Sequence, residues 1–320
     1  MARIGNSYQT YDATTNREDL ANIIYNIDPA DTPFFSMTGR RTATNRQFDW
    51  STDVLPAVNL ANAQIEGFIF APSTSAAPGR LHNVAQISER DATVTGSQEA
   101  AEPAGKKDEM AYQLALKSKA LKRDMESIVV QTQPLAFGSG TTGSEVARTT
   151  RALEHFLSNN VTVGNTMGGT GYVAPASETA AITDGTQRAF TEVLLKAAMQ
   201  LAYARGAEPS VLMVGPGQKG VISTFVGRVN TRQNIQADEI LATASVYASD
   251  FGDLKVLPSR WCRNRSAFLL DPEYAAIAYY RSFQKKPMPI SGDATANLIV
   301  AEWGLECRNP SAHQLIADLT

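Results

Sequence analysis

Between residues 106 and 132 the apolar positions Met110, Leu114, Leu121, Met125 and Ile128, with small Ser118 in the gap, recur every three or four residues. That is the 3.6-residue period of a helix with one buried stripe. The stretch, KKDEMAYQLALKSKALKRDMESIVVQT, contains no Gly or Pro and is rich in residues that lose little entropy on becoming helical. It predicts a helix roughly 40 Å long. The stripe does not hold a heptad, so a single strut across a domain is expected and a coiled-coil seam is not.

From residue 46 to 54 the period changes to two. Phe48, Trp50, Thr52 and Val54 fall on one side, and Gln47, Asp49, Ser51 and Asp53 on the other, the pattern of a half-covered strand. An Ala-, Asn-, Ser-, Gly- and Pro-rich stretch then runs to His82. A second strand follows over 84–97, where the change of parity between Ile87 and the pair Ala92, Val94 predicts a bulge or twist. The two strands form a long ribbon with an irregular tip, and an isolated ribbon is marginal in water.

Upstream, residues 1–16 are polar and aperiodic, and 17–25 predict a short helix with acidic Glu18 and Asp19 in its first turn and Leu20, Ile23 and Ile24 on one face. Asp28-Pro29 and Thr32-Pro33 predict an extended path ending in the anchor Phe34-Phe35. Downstream, a second helix is expected over 144–158, with Val146, Leu153, Phe156 and Leu157 inward. An α/β region follows over 186–286. It has a helix at 191–204 facing the core through Val193, Leu194, Ala197 and Leu201, with Gly206 as its C-cap. It continues with a strand at 211–214, a short helix through Phe225, and a polar loop at 229–239. A hairpin of 244–247 with 254–257, a strand at 267–270 and an apolar segment at 274–280 complete it. A long strand at 297–307 and a short tail close the chain.

Composition narrows the function classes. The 320 residues carry 19% charged side chains and a formal net charge of −3, so no basic field of the kind that binds nucleic acid strongly is present. There is no signal-like start and no apolar run of the ~20 residues a helical membrane span needs. A soluble, cytosolic chain is expected. Cys262 and Cys307 lie in no CxxC arrangement, which predicts two free thiols.

Two stretches match G-x-G-x-x-G. Gly138, Gly140 and Gly143 follow a helix instead of a strand, so the dinucleotide context fails. Gly215, Gly217 and Gly220 do follow a strand, precede a helix and have Asp238 about twenty residues on. Yet no apolar strand leads to Asp238 and Pro216 stiffens the turn, so an ordinary strand-turn-helix corner is the expectation and a nucleotide-dependent enzyme the alternative. His82, His155 and His313 lie in no catalytic or zinc-binding pattern. Lys117, Lys119, Lys122 and Arg123 alternate with Asp124 and Glu126, the mark of a solvated helix face. No catalytic, cofactor-binding or metal-binding residue is assigned.

Laid out as arm, ribbon, long helix and α/β region, the chain resembles the major capsid proteins of tailed bacteriophages, with the Hong Kong 97-like shell fold. The segments that carry the resemblance include REDLANIIYNIDPADTPFFSMTG (17–39), AQIEG (63–67) and QISERDATVTGSQEA (86–100). AYQLALKSKALKRDMES, VGPGQKGVISTF, VYASDFGDLKVLPSR, LLDPEYAAIAYYRSF and the ending GLECRNPSAHQLIADLT follow in order along nearly the whole chain. The resemblance implies an α+β fold divided into an N-terminal arm (1–45), an extended loop (46–100), a peripheral domain with a spine helix (101–185), an axial domain (186–286) and a return to the peripheral domain (287–320).

It implies further that the chain is a structural protein of the virion, made in the host cytoplasm, with no enzyme activity and no cofactor. Its partners would be copies of itself, in pentamers and hexamers of an icosahedral shell around double-stranded DNA held by non-specific contact. A separate scaffolding protein, a decoration protein and a portal are further partners that the resemblance allows. Some relatives begin with a cleaved scaffolding segment, whereas here the arm starts almost at Met1. No Lys–Asn crosslinking pair of the kind some relatives use maps onto this sequence. A shell enclosing protein cargo is the alternative within the structural class. Arm and ribbon would gain stability on a neighbour, with Phe34, Phe35, Phe48 and Trp50 buried between chains or at the ribbon base.

Overall fold

A computed structural model describes residues 31–53, 55, 58–69, 77–101, 108–140, 143–159, 166–225, 246–289 and 292–320. The predicted helix at 17–25, the polar loop at 229–239 and Asp238 lie outside the described residues. Pro33 does not extend the chain but opens a short helix, α1 (Pro33–Met37). Its ring supplies the helical φ at a position whose N–H would have no partner anyway, and only Thr32 before it stays non-helical. Strand β1 (Gly39–Thr42) follows, then the ribbon strands β2 (Gln47–Thr52) and β3 (Gly79–Val84), and β4 (Gln86–Thr95).

The second ribbon strand therefore begins earlier than its periodicity predicts, and it serves two sheets. β3 pairs with β2 from Gln47↔Val84 to Thr52↔Gly79, whereas β4 pairs with the strand near the C-terminus. Ala85 is the crossing point, its N–H bonded to Arg46 O at 2.7 Å. The bulge predicted in this strand is not there: β4 keeps an unbroken register from Gln86 to Thr95. Ile87 lies on the solvent face, and Ser88, which accepts the Trp303 indole N–H at 3.0 Å, takes the inward position that parity assigns.

After α2 (Gly96–Ala100), the long helix is α3 (Glu109–Val130), 22 residues and about 33 Å long. Asp108 caps it, its carboxylate accepting from Ala111 N at 2.8 Å. Asp108→Ala is expected to cost about 1 kcal/mol, measurable as a lowered denaturation midpoint. Met110, Leu121 and Met125 of the stripe are buried, Leu114 and Ile128 pack at its edges, and Val129 and Val130, which the predicted stripe does not include, are buried as well. The helix lies on a four-stranded sheet of order β1-β10-β11-β4, built with β10 (Ala275–Met288) and β11 (Ala294–Cys307). β1 runs parallel to β10 and the other neighbours are antiparallel. Two register shifts bend β10 between Tyr279 and Gln284. The apolar segment expected at 274–280 is thus the start of a long strand.

The helix predicted at 144–158 is only α4 (Leu153–Asn159). Residues 136–140 and 143–149 instead pair in an irregular antiparallel fashion, with bridges Ala136↔Thr149 and Ser139↔Val146, and Val146 is exposed. β-Branched Thr149 and Thr150 favour the extended backbone, and the Thr149 hydroxyl donates to Pro134 O at 2.9 Å.

The second sheet has the order β5-β12-β9-β6-β8-β7, from β5 (Thr166–Met167), β6 (Val211–Val214), β7 (Val246–Ser249), β8 (Gly252–Pro258), β9 (Ala267–Leu270) and β12 (Gln314–Ile316). α5 (Glu192–Ala204) and α6 (Pro216–Ile222) accompany it. α5 buries Leu195, Ala198, Met199 and Ala202, not the face read from the sequence, and leaves Val193 exposed. EVLLKAAMQLAYA has apolar residues around most of its circumference, so period alone cannot choose the inward side. Gly206, at φ +81°, follows the helix as its C-cap glycine should.

Candidate assembly surface

The ribbon is fixed at its base and exposed at its tip. Phe48 is buried, stacks on Trp50 at 6.0 Å between centroids, and Trp50 in turn meets Phe156 at 6.0 Å and donates its indole N–H to Arg308 O. Phe48 can lie there because residue 304 of β11 is glycine: a Cβ at Gly304 would come within 3.0 Å of the Phe48 ring and of Val84 O. Buried Asn83 completes the joint. Its amide N–H donates to Leu305 O at 2.6 Å and its oxygen accepts from Arg151 N at 2.9 Å. The aromatic base of the ribbon is therefore buried within one chain.

Beyond Thr52 the picture reverses. Leu55, Val58, Leu60 and Ile69 are at least 86% exposed, and Ile65 and Phe68 lie between them in the open. A turn closed by Phe68 N to Ile65 O and by Gly67 at φ +77° holds this group outward. Isolated soluble chains rarely present so many large apolar side chains on one excursion, and such a patch marks a protein contact.

The arm root is fixed as firmly as the ribbon base. Phe34 is buried and Phe35 meets Trp303 edge-on at 5.8 Å, so the aromatic anchor is satisfied inside the subunit and not between chains. Glu126 of α3, fully buried, accepts from Phe34 N at 2.8 Å and Phe35 N at 3.0 Å. Burial pushes its carboxyl up to about 7, against the two backbone donors that pull it down. Glu302 and Glu306 of β11 are buried too. Glu302 is clamped by Arg148 and by Arg281 at 2.6 Å, and Glu306 by Arg41 and Arg308. These pairs join the 143–149 segment, β1 and β10 to one strand.

The residues weighed for catalysis are spread apart and held structurally. His82, on β3, lies 2.8 Å from Glu178 and stacks on Phe137. His155 accepts from Arg151 Nε at 2.9 Å and donates to Ala180 O, and burial lowers its pKa. His313 accepts from Asp271 N, and burial pushes it down to about 4. Cys262 and Cys307 are buried free thiols whose pKa values burial raises, Cys307 to about 12. Among the described residues no group of three His, Cys, Asp or Glu is placed to hold a metal.

The better of the two glycine matches is a corner of the second sheet. Gly215 caps α6, and a Cβ there would meet Asn264 Oδ1 at 2.5 Å. Gln218 donates to Asn264 O and to Thr320 O, so the turn is filled by the chain's own residues. The other match lies beside the Ser139↔Val146 bridge, with Gly138 and Gly143 at positive φ. On α3, Asp124 pairs with Arg90 and Arg123 lies over Trp261. Neither the buried acceptor Glu126 nor the Glu302 and Glu306 clamps have a signal in the sequence, because a carboxylate at the edge of an apolar stripe looks like a solvated one.

Comparison with known proteins gives the geometry a family. The chain is 24% identical to a major capsid protein of Escherichia phage Phieco32, over 95% of each chain. Its fold is similar to the cyanophage A-1(L) capsid asymmetric unit (TM-score 0.64, 11% identity, 98% of each chain). It is also similar to the capsid of a native GTA particle (TM-score 0.62, 10% identity, 97% of this chain and 98% of that one). The sequence profile of SU10 major capsid proteins matches residues 6–320. With that match spanning the arm, ribbon, spine helix and both sheets, the chain belongs to the SU10 major capsid protein family, a structural and not an enzyme family.

Proposed function

We propose that this capsid subunit closes into an icosahedral shell of pentamers and hexamers around double-stranded DNA, each copy laying its ribbon tip on a neighbour. The exposed apolar tip on a rigid base carries this reading: it is a contact surface whose counterpart must be outside the subunit. The division into arm (1–45), extended loop (46–100), peripheral domain (101–185), axial domain (186–286) and return segment (287–320) is part of this proposal; the two sheets give it two bodies, with β10 in the first sheet and β5 and β12 in the second crossing those bounds. The sheet under α3 takes the peripheral role and the six-stranded sheet the axial one. Scaffolding, decoration and portal proteins would be separate chains, DNA contact would be non-specific at a net charge of −3, and synthesis would take place in the host cytoplasm.

Electron microscopy of the purified full chain is expected to show closed shells, and shells recovered from infected cells to contain DNA. A persistently monomeric chain would defeat the assembly reading. Shells filled with protein would replace the genome by cargo.

A further inference from the structure

The ribbon carries an apolar surface at each end. At the tip, Leu55, Leu60, Ile65 and Ile69 are at least 79% exposed. At the base, Ile87, Phe137 and Val146 are 46–55% exposed, and with Arg46 and Arg148 they line one hollow of about 350 Å³. The base surface is built from fixed parts. Phe137 stacks on His82 of β3 at 5.8 Å between centroids, Ile87 stands two residues beyond the crossing point at Ala85, and the bridge Ser139↔Val146 sets Val146 beside them.

Within one chain the ribbon keeps the two surfaces apart. Its paired strands run from Gln47↔Val84 to Thr52↔Gly79, five steps or about 17 Å, and the tip begins beyond them. Two matching surfaces at opposite ends of one stiff element are satisfied by a second copy, head to tail, and such a contact closes into a ring when its rotation closes. Their charges match as well. Residues 58–69, VNLANAQIEGFI, carry Glu66 as their only charge, and it is exposed. Arg46 on the rim of the base surface is exposed too, whereas Arg148 is already paired with Glu302.

Resting on the reading that the tip contacts a neighbour, we propose where it lands: Ile65, Phe68 and Ile69 of one copy cover Ile87, Phe137 and Val146 at the ribbon base of the next, with Glu66 toward Arg46. Each copy is then both donor and acceptor of the same contact.

The test is a short bis-maleimide added to the full-length chain carrying Ile65→Cys and Val146→Cys. Cys262 and Cys307 are buried and stay silent while the fold is intact. Because each copy holds both partners, denaturing gels are expected to show a ladder of linked chains beyond the dimer, and neither single variant should link. The lack of a ladder would overturn the proposal. Dimers from Ile65→Cys alone would do so too, since tip would then meet tip, and so would a ladder obtained only with Val193→Cys in place of Val146→Cys, which would move the contact to the exposed side of α5. Should the paired cysteines disturb association, charge reversal decides. Glu66→Arg or Arg46→Glu is expected to lower the associated fraction about fivefold at low salt, and the two together to restore it; no rescue would overturn the contact. Shell formation is scored separately by electron microscopy: shells without the ladder sink this contact and leave the shell reading standing, and a ladder without shells does the reverse.

Discussion

Replacing residues 58–69 by a short Gly-Ser linker is expected to leave a folded subunit that no longer closes into shells. The removed segment contains Val58, Leu60, Ile65, Phe68 and Ile69, all exposed, and none belongs to a core cluster. Stability of the subunit should therefore change by less than about 1 kcal/mol, as for other surface changes. Assembly should lose far more. Burying five such side chains on a neighbour is worth on the order of 10 kcal/mol before the cost of ordering the loop, and a closed shell repeats that contact in every copy. Sedimentation velocity of the variant should show subunits or small oligomers with unchanged circular dichroism. Shells of normal size and yield would mean that the tip is not the contact, whatever its hydrophobicity.

The second large effect is inside the subunit. Glu154 is buried, accepts from Arg263 at 3.1 Å and from the Ser266 hydroxyl at 2.9 Å, and burial pushes it up to about 7. Arg263→Ala leaves this carboxyl without a cation, and breaking a buried pair from one side costs about 3–5 kcal/mol. The cost must depend on pH. Glu154 and Glu126 both titrate near 7 in the folded chain against an ordinary value of 4.5. Between those limits the folded state holds more protons than the unfolded one, so their contribution to stability is greatest below 4.5, falls as pH rises toward 7, and is level above it.

His313 works in the opposite direction. With its pKa pushed down from 6.5 to about 4, its contribution is present above 6.5 and is lost as pH falls through that interval. The net slope of the native protein is thus partly cancelled, and the informative quantity is a difference between variants. Arg263→Ala is expected to be several-fold less damaging at pH 5 than at pH 8. Glu154→Gln should remove part of the fall in stability between pH 5 and 7. Equal penalties for Arg263→Ala at both pH values, in chemical denaturation of the unassembled chain, would show that Glu154 does not need the charge of Arg263.

Much of this architecture is legible in the sequence where one physical signal dominates. The spine helix has both propensity and period, β6 and β9 are short apolar runs bounded by turns, and Phe48 with Trp50 marks the ribbon base. What escapes reading is set by tertiary partners. The face of α5 depends on which sheet it meets. The partner of the inward-facing Ser88, the Trp303 indole, is invisible in the sequence, and so is the switch at Ala85 from pairing with β2 to pairing with β11. The tip residues are legible as a stretch that cannot build a core, but their exposure is a property of the fold. At the glycine motifs the sequence shows only that a dinucleotide context is missing; that Asn264 and Gln218 crowd the turn at Gly215 is a property of the fold.

The continuity of β3 into β4 has a mechanical consequence. Only Ala85 separates the two strands, so tension applied at the ribbon tip is delivered lengthwise to β4. That strand is held to β11 by ten consecutive residue pairs in antiparallel register. A pull along the strand must slide all of them together, whereas a pull at right angles would open them one at a time. A subunit pulled through this ribbon would therefore resist in its stiff direction.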